Sequence, residues 1–488
     1  MRISTILLSL ALAVIPACAW AVDTSDPEAR LHDTTAAFAR NRSFNGVVLV
    51  ANAQGVVLNE AYGEASLELD TPLQRQDVFR VGSLTKPLTA VLVLSLVNDG
   101  LLSLEGTLGD YLPELYAGTP AASVSVQQLL SHTSGIKDLP ANYNDPFWRV
   151  AARQSFTPDI FAKTWIPPEI IDPPGKWRYN NNGFYLLGLI VEKVTGQPYA
   201  EALTKRVFIP AGMTHSGIFD GAIVVPRLVN GYTRSDAGLM IRPIIVDPTV
   251  SYAAAAAYSN ADDLLAFSRA LSGDRLLPPA LKAQMFTDRG NGYGLGWGIE
   301  EWPASGGAKM SVQTHTGSIP GYQTIFVRAD DGTVVVVMSN FWQGITSLEL
   351  ARALFAVVHG EQTIVPKRLL TDLITPLAAR NDLRAMQAAY ETSVAAGPDA
   401  YDLSESALNS LGYSLLRKGF SDPAVLVFEW NAASHPQSSN VHDSLGEAYL
   451  AVGRRQDAKH SYESALRLDP DSQSAGSALA SIGTANIK

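Results

Sequence analysis

Two serines in this chain precede a lysine by three residues: Ser83 before Lys86, and Ser134 before Lys137. A serine hydroxyl is a weak nucleophile until a neighbouring base takes its proton, so a serine and a lysine in reach of each other form a minimal acyl-transfer device. Only the first pair has a helix to align it. Apolar residues at 84, 88, 91, 92 and 96 recur at a helical period, and Asp99-Gly100 ends the run. Residues three apart on a helix share a face, so Lys86 can reach Ser83. The helix N-terminus adds free N–H groups that favour a developing negative charge. Ser134 lies instead in the turn sequence His132-Thr133-Ser134-Gly135. Tyr-x-Asn also occurs twice, at Tyr179/Asn181 and at Tyr258/Asn260. The second reads as a helix start, with Asn260 capping the segment that carries Asp262, Leu264, Leu265 and Phe267.

In order along the chain, Ser83-Leu84-Thr85-Lys86, Tyr179-Asn180-Asn181 and His315-Thr316-Gly317 resemble the three signature elements of serine β-lactamases and DD-peptidases (penicillin-binding proteins). The likeness is greatest to their class C branch, where Tyr-x-Asn replaces Ser-x-Asn. Leu130–Gly135, Gly294–Trp297, His315–Gly321 and Thr195–Tyr199 are similar to the text that surrounds those elements in the family. The resemblance covers roughly residues 30 to 360. It implies an α+β fold, an antiparallel sheet flanked by helices with a helical lobe beside it, and a site in the cleft between them.

The resemblance also implies roles. Ser83 is acylated, and Lys86 and Tyr179 form the proton-transfer system, with Lys86 favouring the Tyr179 phenolate or shuttling its proton. Asn181, His315, Thr316, Gly317 and Ser318 contact substrate. The backbone N–H groups of Ser83 and Ser318 form the oxyanion hole. No deacylating glutamate carries over, which leaves that step to Tyr179 or to the substrate itself. One position departs from the pattern: His315 stands where most β-lactamases have lysine. Lysine is a permanent cation suited to a substrate carboxylate, whereas histidine is mostly neutral at pH 7. The expected activity is therefore a serine hydrolase of DD-peptidase, D-amino-acid peptidase or esterase type, acting on an amide or ester. A β-lactamase is the alternative chemistry, and a catalytically retired scaffold that works through other parts of the chain is the alternative class.

Other elements must hold these residues. Asn45 to Val50 and Val56 to Tyr62 predict a hairpin, as do Tyr322 to Val327 and Thr333 to Met338 around Asp330-Asp331-Gly332. Phe184 to Val194 predicts a helix ending near Gly196. His132 is expected as a buried support for its turn, and Tyr293 and Trp297 as packing residues. The Pro-rich stretches within 140–175, and the segment 215–250, are expected to shape the pocket.

The length of 488 residues predicts more than one domain. From about residue 365 strand signals vanish and a 34-residue repeat appears: Leu411/Leu445, Gly412/Gly446, Ala424/Ala458, Phe428/Tyr462 and Pro436/Pro470. This period resembles tetratricopeptide repeats, helix pairs stacked as a solenoid, clear over 405–470 within a helical region 366–488. Such a stack implies a protein partner or docking onto the rest of the chain. Arg2, the apolar run Ile6 to Ile15 and Ala19-Trp20-Ala21 predict a signal peptide of residues 1–21 and a periplasmic or secreted protein. Ile15-Pro16-Ala17-Cys18 is the weaker alternative, a lipid anchor on the chain's single cysteine. A net charge of −10 opposes nucleic acid and anionic membrane surfaces as partners. No cofactor is expected, and the eight histidines show no metal-site spacing.

Overall fold

The computed structural model describes residues 26–342 and 346–484. The expected signal peptide and Cys18 lie outside them. No described helix is long and apolar enough to cross a membrane.

The centre is a six-stranded antiparallel sheet in the order Gly298–Pro303, Lys309–Ile319, Tyr322–Ala329, Val334–Ser339, Gly46–Asn52, Gly55–Tyr62. Both expected hairpins are present within it. Its valine-rich strands read as unbroken apolar runs because both faces are covered. Successive side chains point to opposite faces, so Val47, Leu49 and Ala51 join one core while Val48 and Val50 join another. The first core holds the helix Thr85–Asn98, buried along most of its length, and the helix Ala261–Ser272. The second is closed by the helices Pro27–Arg42 and Thr346–Val358 from the two ends of this region. A helical lobe that includes Asn181–Thr195 and Pro248–Ala255 packs against Thr85–Asn98. Gly196 ends the first of these lobe helices with φ 65°, a left-handed cap that glycine adopts without a Cβ clash.

Beyond residue 365 the chain is helical from Leu370–Ala378 to Gln473–Thr484, around its own apolar core. One expectation fails in detail. Arg368–Leu369 and Tyr401–Asp402 form a two-residue parallel pairing where no strand was expected. Two residues are too few to carry a period-2 pattern.

The repeat has a physical basis. A Cβ on Gly412 would lie 2.6 Å from the ring of Phe428, and one on Gly446 would lie 2.7 Å from the ring of Tyr462. The same glycine-on-aromatic contact thus recurs 34 residues later, and it lets the two helices of each pair approach closely. Trp430 stacks on Tyr390 at 4.3 Å and donates to Gln387 Oε1, which ties the helix Leu383–Ala395 into the same stack. Tyr462 is 1% exposed, so Tyr462→Ala should cost about 3 kcal/mol. The loss is read as a lower denaturant midpoint for the helical signal.

The helical region touches the sheet region at several points. Asn41 donates to the Pro366 carbonyl at 2.9 Å, Arg234 faces Asp372 at 3.9 Å, and Gly238 abuts Pro376.

Candidate active site

Ser83 occupies a 3-10 turn, Gly82–Leu84, that leads into the helix Thr85–Asn98. Gly82 has φ 55°, a conformation that suits glycine. Its missing side chain leaves room for the Ser318 amide: a Cβ there would sit 3.1 Å from Ser318 N. The two N–H groups expected to form the oxyanion hole therefore flank one turn.

Lys86 is completely buried. Its Nζ lies 3.1 Å from Ser83 Oγ, 2.9 Å from Asn181 Oδ1 and 3.1 Å from the Ala254 carbonyl. The last two partners are acceptors only. A neutral amine has two N–H bonds and one lone pair. With both N–H groups spent on Asn181 and Ala254, the lone pair is left for the Ser83 hydroxyl. Burial drives the Lys86 pKa down to about 7, and the Asp138 carboxylate opposes that shift. The amine is therefore poised to exchange a proton near neutral pH.

The Ala254 carbonyl reaches Lys86 through a strained backbone. Tyr252, inside the helix Pro248–Ala255, has φ 35° and ψ −130°. That break turns the Ala253 and Ala254 carbonyls toward Thr89 and Lys86. A non-glycine residue held in such a region costs about 1–3 kcal/mol, and such strain clusters at functional sites.

Tyr179 hydrogen-bonds to Ser83, and its ring centre lies 4.8 Å from Lys86 Nζ. Burial raises its pKa well above the ordinary value; the Ser83 hydrogen bond opposes this, and the fields of Asp138 and Tyr143 add to it. Of the two routes the resemblance implies, burial disfavours the Tyr179 phenolate and leaves the proton shuttle.

Asn181 opens the helix Asn181–Thr195, which Asn180 caps by accepting from Gly183 N at 2.7 Å. The side chain of Asn181 is already engaged on both sides: Oδ1 accepts from Lys86, and Nδ2 donates to Asp138 Oδ2 at 3.1 Å. Asp138 also accepts from the N–H groups of Asn181 and Asn182 at 3.0 and 3.1 Å, as a carboxylate at a helix N-terminus does. Asp138 escaped the sequence reading. It stands 43 positions before Asn181, and no local spacing joins them.

Asp138→Asn should move the acid limb of the pH–kcat/KM profile to lower pH. Asp138 holds the Lys86 pKa up, so removing its charge lets burial lower that pKa further, and the base is deprotonated at lower pH. A wild-type limb near pH 7 and a variant limb below it, in stopped assays across pH 5–9, check the sign.

The third motif divides. Thr316 and Ser318 line a cleft of about 510 Å³ together with Ser83, Tyr179 and Asn181. Segments from both expected loops line it as well, with Tyr143 and Trp148 on one and Ile244 and Val246 on the other. Trp342 donates to Ser318 Oγ at 2.7 Å. Gly317 packs inward, where a Cβ would fall 1.9 Å from the Val81 carbonyl. His315 also points inward and is 5% exposed. Its Nδ1 faces the Thr316 carbonyl at 2.8 Å, which only accepts, so Nδ1 carries the proton and Nε2 accepts from the Tyr293 hydroxyl at 3.0 Å. Burial lowers the His315 pKa to about 3, and Lys86 adds to that shift. His315 thus offers the substrate no charge. Strand alternation explains the division: Thr316 and Ser318 share one face, and His315 and Gly317 share the other.

His132 is buried with φ 60°, and its Nδ1 accepts from Asn180 N at 3.1 Å, while its carbonyl accepts from Arg178 N. Its ring lies 4.3 Å from that of Tyr179. It supports the turn that positions Tyr179. Trp297 is fully buried against Phe267. Asn260 caps its helix by accepting from Asp263 N.

Residues 31–358 match the family described as β-lactamase. A penicillin-binding protein of Bacillus subtilis (strain 168) is 28% identical over 355 residues, which cover 67% of this chain and 74% of the relative. The esterase EstB of Burkholderia gladioli is 26% identical over 370 residues, covering 67% and 94%. Among solved structures, a D-stereospecific amidohydrolase from Streptomyces sp. is similar with a TM-score of 0.57 and 26% identity, covering 68% of this chain and 98% of that one. A sheet whose second strand delivers Thr316 and Ser318 to a serine and a buried lysine, and a match that spans most of the chain, agree: this protein belongs to the β-lactamase family of serine hydrolases.

Proposed function

We propose that this chain is an exported serine hydrolase that acts through a Ser83 acyl-enzyme on an amide or ester, in the manner of a DD-peptidase, a D-amino-acid peptidase or an esterase. The observation that carries the reading is the Lys86 amine, whose lone pair is left facing Ser83 Oγ at 3.1 Å. Neutral Lys86 takes the hydroxyl proton as Oγ attacks the carbonyl carbon. The N–H groups of Ser83 and Ser318 hold the oxyanion. Tyr179, kept protonated by burial, passes its proton to the leaving amine or alcohol as its bond to carbon breaks and takes up the proton that Lys86 received from Ser83, so both groups are restored. Water then releases the acyl group by the reverse sequence. Relatives named as an esterase and a D-stereospecific amidohydrolase support an amide or ester substrate. The inward, uncharged His315 ranks β-lactam hydrolysis below this reading. A retired scaffold has no need of a lysine buried against its serine.

In this reading residues 1–21 are removed on export, 30–360 form the hydrolase domain, and 366–488 form a tetratricopeptide-like stack for a protein partner. The recurring Gly412–Phe428 and Gly446–Tyr462 contacts support the stack.

Intact-mass spectrometry after exposure to a fluorophosphonate and to penicillin tests the enzyme reading. A single adduct in the wild type, lost in Ser83→Ala, is expected with the fluorophosphonate. A wild type unmodified by both probes would sink the reading. A long-lived penicilloyl adduct favours peptidase over lactamase.

A further inference from the structure

Trp342 stands outside the three signature elements, yet it touches the site. It ends the short strand Phe341–Trp342. Phe341 is buried, and strand alternation sends Trp342 to the opposite side, toward the cleft. Its indole Nε1 donates to Ser318 Oγ at 2.7 Å. Its ring meets that of Tyr143, a cleft-lining residue, edge-on at 5.3 Å. Ser318 is next to last in its strand and pairs with Gln323 beside the turn at Pro320-Gly321. Such an end opens more readily than the centre of a sheet, so a side-chain tie there helps to fix the backbone. The tie matters because the Ser318 N–H is one of the two donors expected in the oxyanion hole, where a donor must sit about 3 Å from the developing charge.

The strand Phe341–Trp342 is in turn held from outside the cleft. It pairs in parallel with Tyr232–Arg234, Trp342 opposite Thr233, and Tyr232 N donates to the Asn340 carbonyl at 2.8 Å. Tyr232–Arg234 folds back on Met240–Ile241 as a hairpin. That hairpin abuts the helical region beyond residue 365. A Cβ on Gly238 would sit 3.2 Å from Pro376, and Arg234, which also donates to the Gly238 carbonyl, faces Asp372 at 3.9 Å. Asp236, at the same tip, lies in the field of Lys418. A continuous run of contacts thus leads from the helix Leu370–Ala378 through the hairpin to Trp342 and Ser318. Each strand in it is two or three residues long, so the run has little stability of its own and takes its place from what holds its two ends.

We propose that Trp342 is a positioning residue for the oxyanion hole, and that the helical region holds it in place through the hairpin, so that turnover at Ser83 depends on a contact made outside the cleft. The proposal rests on the Ser83 acyl-transfer reading. Trp342 acts through Ser318 and not on the reacting atoms. An indole N–H only donates, so Ser318 Oγ is the acceptor and its side chain is held in one orientation. Without that bond the strand end relaxes, and the Ser318 amide drifts from the place where the oxyanion forms. A displaced donor weakens binding of the transition state and leaves binding of the ground state nearly intact.

The test is a double-mutant cycle on the full chain. Its readouts are nitrophenyl acetate turnover and inhibition by phenylboronic acid, which forms a tetrahedral adduct on a serine. Trp342→Phe keeps a ring against Tyr143 and removes the N–H. It should lower kcat about 10-fold, less than outright loss of an oxyanion donor, and weaken the boronic acid in step. KM should stay within about twofold. Ser318→Ala should do the same, and the double variant should lose no more than either alone. Asp372→Arg sets two cations face to face at the hairpin and should lower kcat about threefold, the scale of one exposed ion pair. It should add nothing to Trp342→Phe, and Arg234→Asp should reverse it. A Trp342→Phe kcat within about twofold of wild type, losses that multiply, a rise in KM that matches the fall in kcat, or an Asp372→Arg protein that turns over like wild type would overturn the proposal. If Trp342→Phe does not fold, Ser318→Ala with Asp372→Arg completes the same cycle. Fluorophosphonate labelling separates the two readings: a labelled wild type with an unaffected Trp342→Phe sinks the positioning role alone, and an unlabelled wild type sinks the acyl-transfer reading beneath it.

Discussion

Lys86→Met is expected to lower kcat/KM for nitrophenyl acetate by about 10³-fold, within the range a positioned general base contributes. Met keeps the length and the apolar stem and removes the lone pair that faces Ser83 Oγ. The surrounding structure should tolerate it, because the amine is already enclosed and its deprotonated form is accessible near pH 7. The cost falls on the Asn181 and Ala254 carbonyl oxygens, each of which loses a donor. A folded Lys86→Met protein, checked by thermal melting, with turnover within tenfold of wild type would show that the lysine is not the base. Lys86→Arg separates charge from basicity: arginine restores a cation but cannot be deprotonated in this range, so it should be as inactive as methionine.

Gly317→Ala should reduce kcat by about 10²- to 10³-fold, the effect of losing one oxyanion-hole donor. A Cβ at this position would lie 1.9 Å from the Val81 carbonyl and 2.3 Å from Thr324 Oγ1. Those two atoms are themselves hydrogen-bonded at 2.9 Å and tie the sheet to the turn that carries Ser83. Neither can retreat without breaking that bond. The strand Lys309–Ile319 must therefore move away from Gly82, and the Ser318 amide moves with it. KM should change less than kcat, because the displaced donor acts on charge that develops in the transition state. A kcat within twofold of wild type would show that the Ser318 amide is not part of the oxyanion hole.

Much of the fold was legible because its determinants are local. The hairpin around Asp330-Asp331-Gly332, the caps at Asn260 and Gly196, and the one-turn spacing of Ser83 and Lys86 each involve residues a few positions apart. Periodicity, turn chemistry and capping act over that range. The glycine and aromatic positions of the C-terminal pattern were visible for the same reason, since each helix pair is a short unit that recurs.

What the tertiary structure decided is which partners meet across long separations, and so which charges survive. Asp138 joins Asn181 and biases Lys86 only because the turn at Ser134-Gly135 folds against the start of the helix Asn181–Thr195. No spacing in the chain encodes that contact. His315 matched the start of a signature element, yet strand alternation and the Tyr293 hydroxyl draw it inward. Burial then strips it of charge. Arg80, which belongs to no signature element, is the cation left lining the cleft. Residue types can name the groups available for chemistry, but a pKa depends on desolvation and on neighbouring charges. Those are fixed when segments distant in sequence close around the side chain, and that closure lowers the Lys86 pKa and raises that of Tyr179.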